Sequence, residues 1–212
     1  MNDVLAPTAI IDADHPSIRA FVDRVTAPGD NATTRAVKLF DAVRDGVRYD
    51  PFHIDFRPEG FRASATLDRG TGHCMEKAAL LVAAYRAADL PARIGLAKVR
   101  NHIATEKLEA FLGSDILTPH GYVEVLLNET WWKVTPAFNI ELCERLGVPP
   151  LTFDGSSHCL FQAYDRSGGD FMDYLEDYGW FTDVPVQFIV ETMRAHYPKL
   201  FRNGVPDVVE ID

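Results

Sequence analysis

The stretch GTGHCMEKAALLVAAYRAADLPAR, Gly70 to Arg93, decides how the rest of the chain is read. Gly70 and Gly72 allow a tight turn, and Lys77 through Ala88 are strong helix formers, so Cys74 falls in the first turn of a helix. The run Ala78 to Ala84 is apolar on every face, which places this helix in the middle of the domain rather than along its surface. At such an N-terminus the unpaired backbone N–H groups and the positive end of the macrodipole favour a thiolate. The stretch therefore predicts a nucleophilic cysteine on a rigid, buried platform. The bland alternative is a small buried hydrophobe, so the decision passes to the surrounding residues.

Upstream, Ile18, Phe21, Val22 and Val25 recur at helical spacing, and Pro28-Gly29 ends that helix. Thr33 or Thr34 can cap a second helix that carries Val37, Leu39, Phe40 and Val43 to Gly46; the pair reads as a scaffold flank or a lid. Tyr49 to Ala65, YDPFHIDFRPEGFRASA, is aromatic and irregular, a candidate wall for a site, with His53, Arg57 and Arg62 as its polar members. It ends just before a turn at Thr66-Leu67-Asp68 that leads to the cysteine.

Downstream, Leu90-Pro91 ends the central helix and Arg93 to Val99 reads as a strand, with a short helix expected at Glu106 to Phe111. His120 to Leu127 and Trp131 to Thr135 alternate as strands, and Asn128-Glu129-Thr130 is short enough for an antiparallel hairpin. Trp131 and Trp132, neighbours on one strand, should face opposite sides. Beyond Pro136 come Asn139 to Leu146, a strand at His158 to Tyr164, an acidic aromatic segment from Phe171 to Phe181 and an amphipathic helix from Pro185 to His196. A buried helix followed by an antiparallel sheet is an α+β arrangement. No internal repeat or low-complexity linker divides the chain, so residues 1–212 are expected to form a single domain.

With 212 residues, 47% of them hydrophobic and 25% charged, the chain can bury a substantial core. A net charge of -10 disfavours nucleic acid and anionic membrane as partners. The first residues lack a basic segment followed by an apolar run, and no apolar stretch is long enough to span a bilayer. Cys74, Cys143 and Cys159 cannot all pair within the chain, which fits a reducing, cytoplasmic location. The sequence carries no signal of oligomeric state.

A thiol nucleophile needs a base to take its proton and a third group to orient that base. His120, opening the first hairpin strand after Thr118-Pro119, is the natural base, and the orienting group is expected on the strand that runs back past it, Trp131 to Pro136. A zinc site from His73, Cys74, His158 and Cys159 is disfavoured, because adjacent His-Cys pairs lack the usual ligand spacing; no metal or cofactor is expected. Glu76, Glu124 and Asp115 read as surface or ion-pair residues rather than paired carboxylates for sugar hydrolysis.

Gly-Thr-Gly-His-Cys74 opening an apolar helix, Leu90-Pro91-Ala92-Arg93, His120-Gly-Tyr-Val-Glu-Val and Trp132-Lys-Val-Thr-Pro together resemble the transglutaminase-like superfamily of papain-like thiol enzymes. LFDAVRDGVRYDPF, Leu39 to Phe52, is similar to the segment before the cysteine in microbial members. The resemblance covers roughly Val37 to Asn139, leaving 140–212 as a C-terminal extension. It implies a papain-like cysteine-proteinase fold and a Cys-His-Asp triad, with Cys74 as nucleophile and His120 as base. It also implies acyl transfer at a carboxamide or peptide bond of a peptide or protein substrate. Hydrolysis is favoured over cross-linking, since similar microbial proteins are mostly peptidases or amidases and no calcium-ligand cluster is visible. The third position departs from the family: Thr135-Pro136 stands where Asp-Pro is usual. The Thr135 hydroxyl can accept a hydrogen bond from the imidazole, and the Asn139 amide is the other candidate. His53, Arg62 and Trp132 are the expected substrate contacts. The alternative is a non-catalytic binding or scaffold protein that keeps the fold after losing the triad acid.

Overall fold

In the computed structural model, which describes residues 2–101, 106–160, 172–202 and 204–210, helices α1 (Pro16–Val25) and α2 (Ala32–Gly46) form where the apolar spacing predicts them. The cap of α2 is Asn31 rather than a threonine: its Oδ1 accepts from the Thr34 N–H at 2.8 Å. Both helices flank the core and bury Ile18, Phe21, Val22, Leu39, Phe40 and Val43. Then follow β1 (Arg48–Tyr49), β2 (His53–Asp55), α3 (Ala63–Arg69), β3 (Thr71–Gly72) and α4 (Cys74–Ala87).

Helix α3 stands where the sequence suggests only a loop and a turn. Its cap comes from far away in the chain: both oxygens of Asp12 accept from Ser64, one from the backbone N–H at 3.0 Å and one from the hydroxyl at 2.5 Å. A carboxylate at a helix start satisfies donors that the helix cannot. Gly70, at φ 68°, closes the helix in the left-handed conformation and turns the chain toward Cys74.

Helix α4 is buried along almost its whole length, as its all-round apolar sequence requires. Its charged residues are accommodated by the ends of other elements. Lys77 Nζ donates to the carbonyls of Arg44 (2.8 Å) and Val47 (2.5 Å), satisfying acceptors at the end of α2. Arg86 donates to the carbonyls of Ala92, Ala6 and Thr182 at 2.7–3.0 Å. Each group thus recovers hydrogen bonds lost on leaving water.

The remaining elements are β4 (Ala92–Asn101), α5 (Glu106–Leu112), β5 (Ile116–Leu127), β6 (Thr130–Val134), α6 (Ile140–Leu146), β7 (Met172–Phe181), α7 (Val186–His196) and β8 (Val208–Glu210). The main sheet is antiparallel in the order β6-β5-β4-β7, and α4 lies against it. Asn128 and Glu129, at φ 49° and 65°, make the tight β5–β6 turn. The acidic aromatic segment forms the edge strand β7, whose charges suit an exposed edge. Of the strand expected at His158 to Tyr164, Cys159 bridges Val134, and positions 161 onward lie outside the described residues. On the outer sheet face Arg93 sits between the rings of Trp131 (4.1 Å) and Trp180 (4.0 Å) and pairs with Glu124. Glu76 pairs with Arg69 and Asp115 with Arg100, so all three carboxylates have ion-pair roles.

Candidate active site

Two short strands deliver Cys74 to its position. β1 pairs in parallel with β3, and Asp50 N–H donates to the Gly72 carbonyl at 3.0 Å, fixing the turn before the cysteine. His73 N–H then donates to the Glu76 carboxylate at 2.9 Å, which closes the first turn of α4. Against this helix tip lies Gly121 of β5. A Cβ there would meet Met75 Cα at 2.7 Å, the Cys74 carbonyl oxygen at 3.0 Å and Met75 N at 3.1 Å, so backbone rests directly on backbone. The residue before Gly121 is His120, which β5 pairs with Ala97 of β4.

The electrostatics run against the thiolate that the helix terminus favours. Burial pushes the Cys74 thiol up to about 11, although the backbone N–H groups of Gly121, Met75 and Cys74 point at the sulfur and draw it down; the charge of Glu76 adds to the rise. Cys74 is only 8% exposed, so the sulfur has lost the water that would solvate an anion. Burial likewise pushes His120, 1% exposed, down to about 4, with His73 adding to the effect. At neutral pH the resting site holds a thiol and a neutral imidazole.

At the third position Thr135 is buried just past β6, where its N–H donates to the Cys159 carbonyl at 2.8 Å. Its hydroxyl has no hydrogen-bond partner among the described residues. The amide of Asn139 is engaged elsewhere: Oδ1 accepts from Tyr49 N–H at 3.2 Å and Nδ2 donates to Glu141 at 2.5 Å. Neither side chain is brought into a hydrogen bond with His120 among the described residues.

The cavity beside Cys74 is small, about 60 Å³. The helix tip contributes His73, Cys74 and Met75, the end of β1 and the segment after it contribute Tyr49 and Pro51, and α5 contributes Leu108 and Leu112. Met193 of α7 and Tyr197 close the other side. Tyr197 is fixed there by donating to the Ile116 carbonyl (2.8 Å) and accepting from Thr118 N–H (2.7 Å). Burial first, and then proximity to Cys74, push the phenols of Tyr49 and Tyr197 up.

His53, Arg62 and Trp132 stand outside this cavity. His53 Nδ1 is 2.7 Å from Glu210 across the β2–β8 pair, Arg62 is exposed at the start of α3, and the Trp132 ring packs edge-on against His158 at 5.3 Å. None borders the Cys74 cavity. Arg57 pairs with Asp55 at 2.7 Å. The walls of the Cys74 cavity are mostly apolar. Met193 and Tyr197 stand four apart near one helix end, a visible stripe with nothing local to say where it docks. His73 is a second buried imidazole, edge-on to Phe61 at 5.6 Å and with Nε2 3.6 Å from Glu76. Among the described residues no group of three or more His, Cys, Asp or Glu could hold a metal ion, and no helix is long and apolar enough to cross a membrane.

The family model of the Transglutaminase-like superfamily matches residues 19–136, more than half of the chain. No curated protein matches. Among solved structures, the chain is similar to a candidate cysteine protease from Cytophaga hutchinsonii, with 17% identity and a TM-score of 0.49 over 63% of this chain and 40% of that one. It is also similar to a candidate protease from Parabacteroides distasonis (15% identity, TM-score 0.40, 58% of this chain and 26% of that one). A third is the periplasmic domain of TgpA from Pseudomonas aeruginosa (18% identity, TM-score 0.46, 68% and 48%). The chain spans less than half the length of each.

Proposed function

Because the chain belongs to the transglutaminase-like superfamily, we propose that it is a thiol hydrolase of peptide or carboxamide bonds, with Cys74 as nucleophile and His120 as base. The observation that carries this reading is the contact of Gly121 with the Cys74–Met75 backbone, which holds the cysteine turn against the residue next to His120. Since thiol and imidazole are both neutral at rest, the proton moves as the bond forms, as in a hydroxyl-nucleophile triad. Sγ attacks the carbonyl carbon, His120 takes the thiol proton, and the oxyanion is held by the Cys74 N–H at the helix terminus. His120 then gives the proton to the leaving nitrogen as the C–N bond breaks. Water, deprotonated by His120, cleaves the thioester, releases the acid and restores the thiol.

The Thr135 hydroxyl, without a hydrogen-bond partner among the described residues, favours a second reading, a binding protein that keeps the fold without turnover. We also take residues 1–212 as one domain, since β7 from beyond the family match completes the sheet. We take the location as cytoplasmic on the three buried free cysteines. The charge of -10 argues against nucleic-acid and anionic-membrane partners.

The test is hydrolysis of a panel of fluorogenic peptide amides by the full chain beside Cys74→Ala and His120→Ala. Turnover lost in both variants supports the hydrolase. Peptide binding without turnover, unchanged in Cys74→Ala, supports the binding protein.

A further inference from the structure

Next to the Cys74 cavity lies a larger one of about 360 Å³. Tyr49, Pro51 and Leu108 border both, so single side chains divide them. The rest of its apolar wall comes from Phe52, Phe138 and the face of α6 that carries Leu142 and Leu146. Tyr49 is held as the partition from two sides: its ring stands edge-on to Phe138 at 4.9 Å, and its N–H is bound by the Asn139 side chain at 3.2 Å. This gives the buried Asn139 amide a definite role beside the nucleophile. Among the described residues, the polar members of the wall include two guanidiniums, Arg48 and Arg145, and one carboxylate, Asp50, which is 3.9 Å from Arg48.

We propose that this cavity is a specificity subsite that takes a bulky apolar side chain, aromatic or branched aliphatic, from the peptide residue flanking the carbonyl attacked by Cys74. The inference rests on the thiol-hydrolase reading. Its volume lies within the range of about 300–1,000 Å³ usual for ligand pockets, and its lining is the apolar kind that such pockets use. The walls shared with the Cys74 cavity put it one side chain from the reacting centre. Among the described residues of its wall, the excess of guanidinium over carboxylate disfavours lysine or arginine as the occupant.

The full chain is treated with peptidyl vinyl sulfones that differ only at the residue next to the electrophile, glycine, leucine, phenylalanine or lysine, and Cys74 occupancy is followed by mass spectrometry. Leucine and phenylalanine probes are expected to label at least about tenfold faster than glycine, a discrimination within reach of an apolar pocket. Lysine should be no faster than glycine. The phenylalanine-to-glycine rate ratio is expected to fall to about one in Leu142→Arg, whose charge would enter the cavity. If that variant does not fold by circular dichroism, Leu146→Trp, which fills the same space, is read instead. Equal labelling of Cys74 by all four probes, or a ratio untouched by filling the cavity, overturns the subsite and leaves the hydrolase reading standing. Failure of every probe and of iodoacetamide to modify native Cys74, while the urea-unfolded chain reacts, removes the hydrolase reading and the subsite with it.

Discussion

The pH dependence of Cys74 alkylation decides whether burial or the helix terminus governs the nucleophile. Burial pushes the thiol from 9.0 up to about 11, despite three backbone N–H groups that favour the anion. At roughly 1.4 kcal/mol per pH unit, the rise corresponds to about 3 kcal/mol against ionisation. At any pH below 9 the thiolate fraction is then about a hundredfold smaller than that of an ordinary thiol. Iodoacetamide is added to the full chain from pH 6 to 10, and the Cys74 peptide is quantified by mass spectrometry, separately from Cys143 and Cys159, which are also buried. Restricted access lowers the rate at every pH by one factor, whereas ionisation sets the slope. His120 titrates near 4, outside this window, and leaves the slope clean. The expected result is a logarithm of rate that climbs one unit per pH unit across the whole range. A plateau that begins below pH 8 would refute the reasoning, because the amides and the helix terminus would then outweigh desolvation.

His120, held near 4 in the fold, refuses a proton that the unfolded chain accepts near 6.5, so stability is full above pH 6.5 and is lost as pH falls toward 4, by up to about 3 kcal/mol. Urea unfolding at pH 7 and 4.5 should show a smaller acid loss in His120→Gln than in the parent; equal losses would refute the buried imidazole. Gly121→Ala drives a methyl group into the Met75 backbone at 2.7 Å and is expected to cost about 1–3 kcal/mol in thermal unfolding, with slower Cys74 labelling. An unchanged melting temperature would show that the strand does not rest on the helix tip. Thr135→Val replaces a buried hydroxyl that has no hydrogen-bond partner among the described residues and should be neutral or stabilising by about 1 kcal/mol. Destabilisation by more than that, read by urea titration, would mean that the hydroxyl has a partner in solution, with His120 the first to examine.

What the sequence made legible were the features set by local periodicity, and what it hid were the features set by distant contacts. The all-round apolar helix after Cys74 and the β5–β6 hairpin follow from side-chain spacing and a two-residue turn. Helix α3 was hidden because its cap is Asp12, far away in the chain, and no local signal announces a donor satisfied from that distance. The lining of the small cavity was hidden too, since it is walled mainly by residues that any core would use, His53, Arg62 and Trp132 are not among them, and only packing separates a wall from a core. Gly121 shows why the thiol was the hardest property to foresee. The lack of a side chain lets the strand close onto the helix tip, which aims an N–H at the sulfur and at the same time shuts out water. One contact therefore pushes the ionisation both ways, and its sign depends on a depth of burial that no spacing of residues records.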